Sequence, residues 1–130
     1  MYYYEKDYIM RLIHGIALVL ARIFLGKQME EQGEIADFLD REEKKENDRL
    51  ARMIDGGQIN EAEDRLFDLF ENDEREDRKK AALALAFYDY LNEKDDEFLG
   101  KAGFSREEII KGLEDAMKTV HMEIPEYLRI

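Results

Sequence analysis

The chain has 130 residues, a length that suits one domain, and at 45% apolar and 40% charged it is too apolar for disorder and can bury a core without cross-links. It has no cysteine, so disulfides, thiolate zinc sites and cysteine nucleophiles are excluded. A net charge of −12 repels phosphate backbones and argues against nucleic acid as a partner.

The charge is uneven. Residues 1–27 carry four basic and two acidic side chains, while residues 28–130 carry 16 basic and 30 acidic, so +2 sits beside −14. The single proline is Pro125. A proline-free run rich in Ala, Leu, Glu and Lys predicts an all-α fold, read here as a single helical domain over 1–130. The opening MYYYEKDY has no basic leader region and no A-x-A pattern follows, which together with the lack of cysteine gives a cytoplasmic expectation.

The first predicted element is an amphipathic helix within 1–27. In YIMRLIHGIALVLARIFLG, residues Ile9, Leu12, Ile13, Ile16, Val19, Leu20, Ile23 and Phe24 fall on one broad face. Asp7, Arg11, His14 and Arg22 fall on the other. Two arginines and a histidine inside the run argue against a membrane span, which needs about 20 apolar residues with few charges. Gly26 is the expected stop. Leu18 and Leu25 lie among the charges, so the helix has apolar area beyond one stripe, and a second contact surface is expected. Tyr2, Tyr3, Tyr4 and Tyr8 precede or open this helix, and tyrosine suits both a staple over a core and an interface.

Residues 28–55 read as a charged helical segment. Ile35, Phe38 and Leu39 form one apolar patch and Leu50, Met53 and Ile54 another, with REEKKEND between them. One helix exposed in its middle and two helices meeting there are both compatible with that pattern. Gly56 and Gly57 break the chain. Residues 56–130 then read as two helical hairpins. Asn60 is expected to cap the next helix, with Glu63 completing a capping-box-like pattern, and Ala62, Leu66, Phe67, Leu69 and Phe70 carry it onward. NDERED forms an acidic turn. Ala81 to Tyr88 is apolar on every face, which places that helix at the centre of its half of the domain. Gly100 and Gly103 mark a loop. Ser105 caps the last helix with Glu108 at the capping-box position, Ile109, Ile110, Leu113, Met117 and Val120 point inward, and Pro125 is expected to end it.

Two resemblances follow from these stretches. GGQINEAEDRLFDLF is similar to the entry of the second helix in tetratricopeptide repeats. The candidate caps Asn60 and Ser105 are 45 residues apart, against about 34 for that repeat, so the resemblance implies only a helical-hairpin array. MYYYEKDYIMRLIHGIALVLARIFLGK, with NEAED and ALAFYDYLN further on, resembles a family of short bacterial proteins known only as a domain of unknown function. That resemblance implies a small, acidic, mostly helical architecture with a repeat-like second half, and implies no activity or cofactor.

Candidate chemistry is sparse. DGGQINEAE resembles the back half of a calcium-binding loop, but the preceding ligand positions would be Arg52, Ile54 and Gly56, which offer no side-chain oxygen. A Glu-x-x-His metal pair is not formed, because Arg11 and Lys118 stand three residues before His14 and His121. His14 reads as a surface or interface imidazole, and His121 as a group near a helix C-terminus, where a cation is favoured. Ser105 is the only serine and is already used as a cap. No catalytic, cofactor-binding or metal residues are expected, and no cofactor.

The expected function is therefore a non-catalytic protein–protein interaction or adaptor module. Tyr4, Tyr8, Arg11, Leu18, Arg22 and Leu25 are the candidate interface, and Tyr90 the candidate lining of a groove between hairpins. A homodimer is the expected assembly, with a protein or peptide partner as a further occupant. An alternative is a peripheral membrane protein with the first helix against anionic lipid. A third is a small carboxylate- or metal-dependent enzyme, which has the least support.

Overall fold

The computed structural model describes residues 2–25, 35, 39–72, 74, 76–122, 124 and 126, the side chains of 2–7, 24, 25 and 72 excepted. The helices are α1 (Tyr2–Leu25), α2 (Arg41–Asp55), α3 (Ile59–Asn72), α4 (Asp77–Asn92), α5 (Asp96–Lys101) and α6 (Arg106–Thr119), and no strand occurs among the described residues. The fold is all-α, as the composition requires.

Helix α4 is the axis of the fold. Ala81 through Asp89, Leu91 and Asn92 are buried on all its sides, because a short helix apolar all round has no solvent face to offer. Its most extensive packing is against α1 and α6, then α2. Polar contacts give the directions. Lys79 meets Asp40 at 3.2 Å and Lys94 meets Asp55 at 2.6 Å, so α2 runs parallel to α4. His14 meets Asp89, and Asn92 reaches the Met10 carbonyl, so α1 runs antiparallel. Glu63–Tyr88 and Phe70–Lys80 place α3 antiparallel too.

The Gly56–Gly57 break joins α2 to α3 as the hairpin, with Gly57 at φ 83°, a left-handed value that suits glycine. Around α4, the sequence-distant α1 and also α6 pack more extensively than its neighbour α3.

Several local expectations are corrected. Among the described residues the 28–55 segment holds one helix, α2, and Asp40 caps it by accepting from the Glu43 amide at 3.0 Å. Ile35 and Leu39 are buried in the core, while Phe38 lies outside the described residues. Asn60 is not a cap, because α3 already starts at Ile59 and the Ala62 amide bonds to the Gln58 carbonyl. The stretch between Asn92 and Ser105 contains α5, capped by Asp95 through the Phe98 amide at 2.7 Å, and Gly100 lies inside that helix. Ser105 and Glu108 form the full capping box expected of them. Helix α6 stops at Thr119, well before Pro125, which lies outside the described residues. What stops it is a turn in which the Met122 amide bonds to the Met117 carbonyl and His121 takes φ 62°.

Candidate functional site

Three places hold groups that could act on something outside the fold. The first is the outward side of α1. Its inward side, Ile13, Ile16, Ala17, Leu20 and Ala21, is buried. The large apolar side chains exposed among the described residues are Tyr8 at 62% and Ile23 at 48%, both on α1. At roughly 100° per residue, Tyr8, Leu12, Gly15, Val19, Arg22 and Ile23 share an arc of about 100°. Leu12, Gly15 and Val19 are half-buried there, and Arg11 and Arg22 are exposed along one edge.

This differs from the sequence reading in four residues. Leu18 is half-buried and packs against the core rather than standing free, and Leu12 touches the core as well. Of Leu12, Val19 and Ile23, all expected inward, Leu12 and Val19 are half-buried on the outward arc and Ile23 is exposed. The cause is geometric: the inward arc on α4 is filled by Ile13, Ile16, Ala17, Leu20 and Ala21, which leaves Ile23 at the rim. The side chains of Tyr4 and Leu25 lie outside the described residues.

The second place is the α1–α4 seam. His14 Nδ1 and Asp89 Oδ1 are 2.5 Å apart, with the imidazole 47% and the carboxylate 12% exposed. Burial pushes the Asp89 carboxyl above its ordinary range, and the hydrogen bond and charge of His14 act against that shift. The pair engages Nδ1 of a ring that is otherwise half-exposed. Near it, Asn92 Nδ2 donates to the Met10 carbonyl at 2.8 Å, and Arg106 donates to the Asn92 carbonyl at 2.7 Å and to its Oδ1 at 3.1 Å. Arg106 also reaches the Lys94 carbonyl and Asp96, so one guanidinium joins α6 to the end of α4 and the start of α5. Sequence reasoning missed the seam because its partners are 75 positions apart, and His14 alone carries no spacing signature.

The third place is a shallow cavity of about 210 Å³ between α3 and α6, lined by Asn60, Glu63, Phe104, Glu108, Lys111, Gly112 and Asp115. Glu63 Oε2 accepts from the buried Tyr88 hydroxyl at 2.7 Å. Burial raises the carboxyl of Glu63, against the Tyr88 hydrogen bond, and raises the Tyr88 phenol as well. The acids here are mostly engaged. Glu108 Oε2 accepts from the Ser105 amide at 3.0 Å, and Asp115 stands 3.9 Å from Lys111. Among the described residues no three His, Asp or Glu side chains are grouped to hold a metal ion.

Tyr90, the residue expected in a groove between hairpins, is held by polar contacts. Its hydroxyl donates to Asp55 Oδ1 at 2.6 Å, and Lys94 Nζ sits 4.9 Å over its ring. The Lys94 hydrogen bond holds the Asp55 carboxyl below its ordinary range. These contacts tie the C-terminus of α2 to α4. Glu43, on the inner side of α2, is 2% exposed. Its Oε2 has no partner among the described residues, and the helix N-terminus is the favourable field it has.

No helix among the described residues is long and apolar enough to cross a membrane. No curated protein and no solved structure matches the chain. A family model matches residues 3–121, from the first turn of α1 through the turn after α6, and the chain belongs to that family, DUF6483, a family of unknown function.

Proposed function

We propose that the chain is a non-catalytic interaction module whose contact surface is the outward side of α1. The observation that supports this best is the exposure of Tyr8 and Ile23 on one side of a helix whose opposite side is fully occupied by the core. A helix that only packed on α4 would gain solubility from polar groups there. This one instead carries an apolar strip edged by Arg11 and Arg22 on an otherwise acidic chain.

The test is Ile23→Glu, read by light scattering after size exclusion in detergent-free buffer, alone and after mixing with a cell extract. The exposed position leaves the fold intact, so the far-ultraviolet circular dichroism stays native while complexes seen with the native chain disappear. Complexes that persist in Ile23→Glu would remove α1 as the contact.

A second reading has one observation in its favour. Arg11 and Arg22 lie on one edge of the strip with Tyr8 near its end, an arrangement that fits an anionic bilayer surface. The acidity of the remaining chain opposes it. Flotation with anionic vesicles separates the two, since absence from the floated fraction leaves the protein contact alone.

A further inference from the structure

We infer that the outward side of α1 pairs with the same side of a second copy, antiparallel, about a two-fold axis beside Gly15. This rests on the reading of α1 as a contact surface and names its partner.

The first support is the spacing. Tyr8 and Ile23 lie at equal distances on either side of the point midway between Gly15 and Ile16, and so do Leu12 and Val19. Antiparallel pairing about that point sets Tyr8 against the copy's Ile23 and Leu12 against its Val19. A two-fold contact requires such self-complementarity, with residue i meeting j and j meeting i. The strip therefore supplies both halves of its own interface.

The second support is Gly15. Glycine within a helix is less stable than alanine because the unfolded chain has more freedom to lose. The isolated fold gives no reason for it here, since a Cβ built on Gly15 would meet nothing within 4 Å. A glycine at the crossing point of two helices lets their backbones approach closely, which accounts for its position at the centre of the strip.

Charge is the third. Residues 28–130 carry −14, so two copies repel by most of their surface, whereas the exposed charges described on α1 include Arg11 and Arg22. Contact through α1 keeps the acidic bulk apart. The overlapping helices span about 30 Å, which buries less than the roughly 800 Å² per partner of a standard interface, so the dimer is weak and concentration-dependent. Salt strengthens it by screening repulsion between two chains of −12 each.

The absence of native cysteine makes the geometry directly readable. Gly15→Cys should form a disulfide with its own copy on mild oxidation, because Cα atoms near the axis come within about 7 Å. The double variant Tyr8→Cys, Ile23→Cys should cross-link between copies, while Tyr8→Cys alone should not. Gly15→Leu should stay folded and lose the dimer, and sedimentation of the native chain should show a mass that rises with concentration and with salt.

Cross-linking of Tyr8→Cys to itself would overturn the antiparallel arrangement while leaving α1 as the contact. A native chain monomeric at every concentration and salt would overturn the second copy as partner. In that case, loss of extract complexes in Ile23→Glu would still uphold the contact surface, and their persistence would overturn both.

Discussion

The same substitution at two helical glycines should have opposite effects. In α6, a Cβ on Gly112 would lie 2.6 Å from Glu63 Oε2, 2.6 Å from the Tyr88 hydroxyl and 2.7 Å from Tyr88 Cε1. Those atoms are not free to move aside, since Tyr88 is fully buried and edge-on to Phe87 at 4.9 Å between ring centroids. Either α6 shifts outward by something near 1 Å or the Tyr88–Glu63 hydrogen bond breaks. Overpacking of this kind costs about 1–3 kcal/mol, and stranding a half-buried carboxylate adds about 1–3 kcal/mol. Alanine returns about 1 kcal/mol of helix propensity. Gly112→Ala is therefore expected to lose about 1–5 kcal/mol net. Gly15→Ala meets nothing and should gain up to about 1 kcal/mol in the monomer. Urea unfolding at low protein concentration, followed by circular dichroism, reads both from the shift in midpoint at unchanged slope. A neutral or stabilising Gly112→Ala would refute the packing argument at the α3–α4–α6 junction.

Three further effects follow. Burial raises Asp89, so the folded state favours its protonated form: that contribution is fully present below the unfolded value and is lost as pH rises through the folded one. Asp89→Asn should then be neutral or stabilising at pH 7 and slightly destabilising in acid, whereas His14→Ala, which strands the buried carboxylate, should lose about 1–3 kcal/mol at neutral pH; denaturant melts that rank the two the other way contradict the seam. Glu63 is raised by burial as well, so Glu63→Gln should flatten the fall of stability that accompanies its ionisation, measured as the pH dependence of the urea midpoint. His121 sits at φ 62° at the end of α6, so His121→Gly should raise the melting temperature by a gain of up to about 1 kcal/mol, and a lower temperature would mean the side chain contributes more than its strain.

Much of the fold was legible because its signals are local. A run apolar on every side from Ala81 to Tyr88 can only be an interior helix, and α4 is one. Ser105 with Glu108 is a reciprocal cap whose partners are three residues apart, and it forms as spaced. The same reasoning failed at Asn60 and Glu63, which have similar spacing, because Glu63 takes a tertiary donor, Tyr88, that no local pattern announces. Asp40 was hidden for the opposite reason: the charged run after it fits one helix or two equally well and so marks no start there, whereas Asp40 is the cap. Helix α5 is too short for periodicity to register and was masked by Gly100 within it and Gly103 just after it.

The candidate site was partly legible. The helical period puts the arginines on the outward side of α1, Tyr8 reads as either a staple or a contact, and all three are exposed. Which apolar residues join them depends on how wide an arc the core takes up, and that width is set by α4 rather than by α1. Hence Leu18 turned to the core and Ile23 to solvent.

The central claim is that Tyr8 and Ile23 serve contact rather than folding. Its most direct test is the double variant Tyr8→Ser, Ile23→Ser, assayed for both properties at once. At high dilution its urea midpoint should match that of the native chain within about 0.5 kcal/mol, as for surface substitutions generally, while at high concentration its mass by light scattering should stay that of a single chain as the native mass rises. A midpoint that falls by several times that margin, with association unchanged, would show that the strip belongs to the core and would contradict the account.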